Sequence, residues 1–303
     1  MCNKEAVMNK EMKDPRKIYR MGNENEIKQD SPVLQKNMKI NPDCGEETYK
    51  GNNRLTNRNA LITGGDSGIG RAVAIAFARE GSNVAIQYLP NEEADAKEVE
   101  KYIKDTGQKS LLLPYDFRED NAATEIVEKT IDEFNELDIL VLNAGQQFPV
   151  KSLDKLNIKQ VTDTFKVNII SMFETVKAAE RYLEPGSSII TTTSVQSFNP
   201  SPSMIDYAAT KAAINNFTIN LSNYFANDGV RVNAVAPGPI WTPIQLFGEQ
   251  LDEGISNFGE GTLLQRAGQP VELSSVYVLL ASEEGSYITG QIYGITGGEP
   301  INL

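Results

Sequence analysis

Short, largely apolar runs alternate with stretches of helical periodicity from Ala60 to Ile295, and this alternation restricts the fold more than any other feature of the chain. The runs cover residues 60–63, 84–88, 110–114, 139–142, 188–193, 230–235 and 291–295. Helices are expected between them over 70–79, 92–106, 122–134, 159–182, 206–227 and 270–280. A strand with no polar face has to be covered on both sides. Strands alternating with helices meet that demand as a parallel sheet with helices on each face. The predicted fold class is therefore α/β, a single doubly wound domain with a parallel sheet. It spans 56–303 and shows neither an internal repeat nor a linker.

Residues 1–55 read differently. They are polar, rich in Asn, Lys and Glu, and weak in apolar periodicity. They carry 11 basic and 9 acidic side chains, a balance of +2, which leaves 18 basic and 32 acidic, or −14, on the remainder. Two structures suit this composition: a disordered tail, or an extended arm laid over an acidic surface of its own or a neighbouring subunit. Tyr19, Ile40 and Tyr49 are its candidate anchors, and Pro15, Pro32 and Pro42 favour an extended path.

The whole-chain charge of −12 argues against nucleic acid and against anionic membrane surfaces as partners. No apolar run approaches the ~20 residues of a membrane span, and the first residues lack the apolar core of a signal peptide. Two cysteines, Cys2 and Cys44, could form at most one bridge, so a reducing, cytoplasmic setting is expected. The chain has no histidine at all. That excludes hydrolases with a histidine base, zinc-dependent dehydrogenases with a His ligand and histidine-based hydroxyacid dehydrogenases. Proton chemistry has to run through Tyr, Lys, Asp, Glu or water, and no metal site is expected.

Two motifs carry chemistry. Gly64, Gly68 and Gly70 follow the first strand and open a helix, within Thr63-Gly64-Gly65-Asp66-Ser67-Gly68-Ile69-Gly70. Glycines let the backbone approach a pyrophosphate, and the helix N-terminus offers free N–H groups and the positive end of a dipole. Further on, Tyr207 precedes Lys211 by one helical turn, so both share a face. Ser194 ends the fifth strand. A free tyrosine has a pKa of ~10. A neighbouring ammonium is expected to lower it towards the range of a useful acid/base.

With these residues the chain resembles the short-chain dehydrogenase/reductase family. Further matches are Asn143-Ala144-Gly145 after the fourth strand, Asn168 in the next helix, and Pro237-Gly238-Pro239-Ile240-Trp241-Thr242-Pro243. The resemblance covers 56–303 and implies a Rossmann-type domain. The arm, the Gly65-Asp66-Ser67 turn and the Gly297-Gly298 ending are similar to a bacterial branch described as general stress proteins, aldehyde reductases or glucose/ribitol-type dehydrogenases.

From the resemblance come the expected roles. Tyr207 is the acid/base, Lys211 supports it and bonds the nicotinamide ribose, Ser194 holds the substrate oxygen, and Asn168 holds a relay water. Gly64, Ser67, Gly68, Ile69 and Gly70 cradle the coenzyme phosphates, and Asp116 meets the adenine. Asn143, Ala144 and Gly145 lie against the adenosine ribose, and Pro237, Gly238, Ile240 and Thr242 close over the nicotinamide. The family also implies a homotetramer paired through its long helices.

The expected function is NAD(P)-dependent interconversion of an alcohol and an aldehyde or ketone, the substrate being a sugar, polyol or small carbonyl. The coenzyme, NAD or NADP, stays open. Gln87-Tyr88-Leu89-Pro90 supplies neither the acid that would bind a ribose 2′-hydroxyl nor a base for a 2′-phosphate, and Ser67 and Leu89 stand where NADP users carry a basic residue. Glu92 and Glu93 are expected to begin a surface helix. Residues 241–265 form the expected substrate lid, with Phe247, Phe258 and several glycines, four acidic residues and no Lys or Arg. This disfavours an alternative reductase of 3-oxoacyl thioesters, which would want cations at the entrance. A second alternative is a non-catalytic NAD(P)-sensing protein.

Overall fold

The computed structural model describes residues 12–19, 33–246 and 257–301. Seven strands form one parallel sheet: β1 Asn59–Thr63, β2 Asn83–Tyr88, β3 Ser110–Pro114, β4 Ile139–Leu142, β5 Ser188–Thr192, β6 Arg231–Pro237 and β7 Ile292–Ile295. Their order is β3-β2-β1-β4-β5-β6-β7. The winding therefore reverses between β1 and β4, which open sheets use as a ligand crevice at the strands' carboxyl ends.

Helices cover both faces, as the apolar strands require. On one side α1 (Gly68–Arg79), α2 (Glu93–Lys104) and α7 (Val271–Ala281) enclose a core around Phe77, Ile62, Ile86 and Tyr277. On the other, α3 (Ala122–Phe134), α5 (Ser171–Ala179) and α6 (Ile205–Tyr224) enclose Leu61, Leu140, Ile189 and Ile214.

The predicted single helix over 159–182 is broken into pieces. It consists of α4 (Ile158–Phe165), a wide π turn over Lys166–Ile170, α5, and a 3-10 turn over Glu180–Tyr182. Asn168 sits inside the π turn and is fully buried. Wide turns of this kind in a helix frequently mark functional positions. Here the inserted geometry lets a polar side chain reach the strand ends.

Residues 33–55 lie along the domain. Tyr49 donates its hydroxyl to Glu80, which also pairs with Arg54 at 2.6 Å. The carboxylate of Glu80 is held down at about 2, since these bonds outweigh the cost of its burial. The Tyr19 hydroxyl bonds Asp43, and Ile40 accepts from the Trp241 indole. Charge contacts run in both directions, because Glu46 on this segment pairs with Arg71 of the domain. Cys44 is a free, buried thiol packed on Ala72 and Ile75 of α1. Cys2 lies outside the described residues.

Candidate active site

One cleft runs over the carboxyl ends of the central strands. All the residues expected to touch coenzyme or substrate line it except Gly70 and Asn168, which stand directly behind its wall. Gly64 and Gly68 both have positive φ, at 63° and 50°. A Cβ on Gly64 would come within 3.0 Å of the Ala144 backbone, and one on Gly70 would lie 1.8 Å from the Gly64 carbonyl. Only glycine permits this close folding of turn onto helix. The first bond of the α1 ladder runs from Arg71 N–H to Ser67. The amides of Gly68, Ile69 and Gly70 thus precede the ladder; Gly68 N–H donates to Gln35 at 2.8 Å, and those of Ile69 and Gly70 suit a pyrophosphate.

Gln87 holds the turn in place by accepting from Gly64 N–H at 3.0 Å and donating to Tyr115. Across the switch point, Thr63 Oγ1 accepts from the amides of Asn143 and Ala144 at 2.9 and 3.0 Å. Asn143 Nδ2 donates to the Thr63 and Gly64 carbonyls, and its Oδ1 accepts from Thr192. Asn143 thus fastens β1, β4 and β5 at the level of the cleft.

At the other end stand Ser194, Tyr207 and Lys211. Ser194 follows β5, and its hydroxyl accepts from Gln196 N–H and hydrogen-bonds Tyr207. Buried Asp206 fixes the start of α6, accepting from Gln160, Thr164 and the Tyr207 amide. Lys211 is buried, its Nζ donates to the Thr192 carbonyl at 2.8 Å, and it lies 5.3 Å from the centre of the Tyr207 ring. Burial pushes Lys211 down to about 7 and Tyr207 up to about 12, the Ser194 bond only partly opposing the latter. From the sequence, a nearby ammonium together with the positive nicotinamide ring is expected to lower the phenol. In the cleft burial raises the phenol and also drives Lys211 towards its neutral form, so the phenol keeps its proton.

Asn168 binds Gln146 from both sides, accepting from its N–H at 2.8 Å and donating to its carbonyl at 2.9 Å, with a second donation to Thr210. Both its N–H donors are used. Its side chain ties the π turn to the loop after β4, immediately beside Gly145 and Lys211.

The family follows from a direct comparison. A family model described as enoyl-(acyl carrier protein) reductase matches residues 64–299. The chain belongs to the short-chain dehydrogenase/reductase family. It is 55% identical over 275 residues to the uncharacterized oxidoreductase YhxD of Bacillus subtilis, covering 90% of this chain and 92% of that one. General stress protein 39 of the same organism is 48% identical over 267 residues, covering 88% and 93%. Among solved structures, a short-chain dehydrogenase from Burkholderia cenocepacia in complex with NADP is similar at 31% identity, with a TM-score of 0.74 over 81% of this chain and 99% of that one. This short-chain dehydrogenase/reductase is accordingly an oxidoreductase of the NAD(P)-dependent kind.

Several lining residues escaped the sequence reading. Asp66, buried within the glycine turn, is pushed up to about 7, chiefly by burial and next by the Asp95 charge. Glu92, expected on a surface helix, lines the cleft and is raised to about 8 by burial and then by Asp66. Only Glu93 behaves as a surface residue, paired with Lys97. Asp116 reaches the cleft with its carboxylate already paired to Arg118. Towards Ser194 and Tyr207, Gln146 and Gln147 line the wall, and the buried Gln146 Nε2 has no hydrogen-bond partner among the described residues. Of the expected lid, Trp241 is fully buried against Phe258, while Phe247, Gly248, Glu249, Asp252, Glu253 and Gly254 lie outside the described residues. Among the described residues no group of three or more His, Cys, Asp or Glu could hold a metal, and no helix is long and apolar enough to cross a membrane.

Proposed function

We propose that this enzyme interconverts an alcohol and an aldehyde or ketone, acting on a neutral sugar, polyol or small carbonyl compound. The observation that carries this reading is the meeting of Ser194, Tyr207 and Lys211 at one end of a cleft whose other end is a glycine phosphate turn. A nicotinamide coenzyme, when bound along the cleft, supplies or accepts the hydride. The turn 64–70 would hold its phosphates, Asn143, Ala144 and Gly145 its adenosine ribose, Lys211 its second ribose, and Pro237, Gly238, Ile240 and Thr242 its nicotinamide end.

Ser194 holds the substrate oxygen, and Tyr207 exchanges a proton with it. With the phenol at about 12 the resting site is set as an acid, ready to protonate a carbonyl oxygen. In the oxidative direction Tyr207 has to lose its proton first, so alcohol oxidation should rise with pH more steeply than carbonyl reduction. Asn168 anchors the loop beside Lys211 and, in this reading, a water that returns the proton to solvent.

The amides of Gln146, Gln147 and Gln245 on the substrate wall suit hydroxyl groups. Among the described residues the only lysine or arginine side chains lining the cleft are Lys211 and Arg118, and Arg118 is already paired. That weighs against a phosphorylated thioester carrier. Retention of Ser194, Tyr207 and Lys211 together weighs against a sensor without catalysis. The carboxyls of Asp66 and Glu92 at the adenosine end favour a free ribose 2′-hydroxyl, and hence NAD over NADP.

The protein is further proposed to be cytoplasmic and a homotetramer. Exposed Phe173 and Tyr224 border a groove between α5 and α6, with the Phe173 ring tilted against Phe217 at 4.1 Å between centroids, and this face suits pairing of the long helices. Sedimentation that reports a monomer would refute that assembly. The function itself is tested by initial rates with NAD, NADP and their reduced forms against sugars, polyols and small aldehydes. Turnover with neutral substrates and none with acyl thioesters is expected. Turnover confined to thioesters would overturn the substrate assignment.

A further inference from the structure

We infer that residues 33–46 act as a strap that organises the coenzyme site, with Gln35 as the positioning residue for the phosphate turn. The inference rests on the proposed dinucleotide function of the cleft. The strap crosses behind both of its walls. Gln35 is buried, and its Oε1 accepts from Gly68 N–H at 2.8 Å, taking one of the first-turn amides of α1 from outside the cleft. Cys44 Sγ meets the Gly68 carbonyl at 3.5 Å, so the strap holds the same peptide region from both sides. Gln35 is fixed in turn by its own N–H, which donates to buried Asp95 of α2 at 2.6 Å.

Further along, the Ile40 carbonyl accepts from the Trp241 indole at 2.8 Å, and Val33 and Met38 pack against Trp241 and Leu246. Trp241 lies between Ile240 and Thr242, two residues of the opposite wall. The walls meet where a Cβ on Gly68 would come within 3.0 Å of Thr242. One segment therefore fixes the spacing of the phosphate turn from the wall expected at the nicotinamide. The first-turn amides of a helix have no partner within the ladder and are met by side chains, water or a ligand. Here a protein acceptor satisfies Gly68 and holds the turn, while Ile69 and Gly70 remain for phosphate.

Docking of the strap and binding of coenzyme should then favour each other, since linkage between two sites is reciprocal. The test compares Gln35→Leu with Tyr49→Phe, whose hydroxyl bond to Glu80 lies away from the turn. Melting temperature and dissociation constants for NADH, NADPH and adenosine are measured on the full chain. Gln35→Leu should weaken whichever dinucleotide the wild type binds by about tenfold while leaving adenosine unchanged. Tyr49→Phe should lower the melting temperature and leave both ligands unchanged. Equal dinucleotide affinity in Gln35→Leu and wild type overturns the inference, as does equal weakening of adenosine. If Gln35→Leu folds poorly, hydrogen exchange of the wild type decides. Saturating coenzyme should slow exchange across 33–46 several-fold, and unchanged rates there overturn the strap. A wild type that binds no dinucleotide overturns this inference and the proposed function together, whereas dinucleotide binding without the Gln35 effect overturns the strap alone.

Discussion

The two ends of the cleft are built on different plans. The proposed catalytic end draws Ser194, Tyr207 and Lys211 from the end of β5 and the start of α6, and all three are close in sequence. Their spacing follows from one helical turn and one loop. The proposed adenosine end collects Asp66 from the glycine turn, Glu92 before α2, Asp116 after β3 and Gln87 from β2. Nothing in the local sequence says that these four converge. Groups that transfer a proton need fixed mutual geometry, which a short segment can supply. Groups that choose between coenzymes act by charge over several ångströms, so unconnected elements can provide them.

If the ends work separately, changes at one should leave the other's readout intact. The largest separation is expected from Ser194→Ala, which should cut kcat by ~10²- to 10³-fold, the range for loss of part of an acid/base device. Binding of adenosine should stay as in the wild type. A loss in adenosine affinity would join the two ends and break the comparison.

The next effect is about tenfold. NAD should bind more tightly than NADP by roughly that factor, equivalent to about 1.4 kcal/mol, and Glu92→Gln should narrow the ratio without a matching loss in kcat. NADP binding as tightly as NAD to the wild type would refute the reading of Asp66 and Glu92.

The ratio should also depend on pH. Asp66, at about 7, and Glu92, at about 8, carry protons at low pH and become anionic as pH rises through those values. The carboxyls of Asp95 and Asp116 and the cations Arg71 and Arg118 share this neighbourhood. Discrimination against the 2′-phosphate should accordingly be greatest above pH ~8 and shrink towards pH ~6. The phosphate itself takes up a proton near ~6, so the contribution of Glu92 is read as the part of the pH dependence that Glu92→Gln removes. A ratio that grows on acidification would have the wrong sign.

The effect with no bearing on turnover or coenzyme affinity belongs to the outer arm. Tyr49→Phe removes one hydrogen bond to a buried carboxylate, worth about 1–3 kcal/mol, and differential scanning calorimetry should show it. Acid should unfasten the same contact. Glu80 is held near 2, so its contribution is present above its ordinary carboxylate pKa and is lost as pH falls towards 2.

The sequence showed the parallel sheet because the strands carry apolar residues at consecutive positions, and so on both faces, and the glycine turn because Gly64 and Gly70 leave no room for a side chain. It missed the π turn, since Lys166–Ile170 keeps helical composition and the wide turn follows from where Asn168 must reach. It read Glu92 as a surface residue because a glutamate before a helix ordinarily serves the helix dipole. The arm's course was equally hidden. Gln35 meets Gly68, 33 positions away, and Asp43 meets Gln269, 226 positions away, and no local periodicity encodes such contacts.

The most direct test of the account compares the wild type with Tyr207→Phe, measuring coenzyme binding and steady-state turnover on the same preparations. The account predicts that the variant still binds coenzyme within a few-fold of wild type while turnover falls by ~10³-fold or more. Turnover that survives the loss of the phenol, in a protein that binds coenzyme normally, would contradict it.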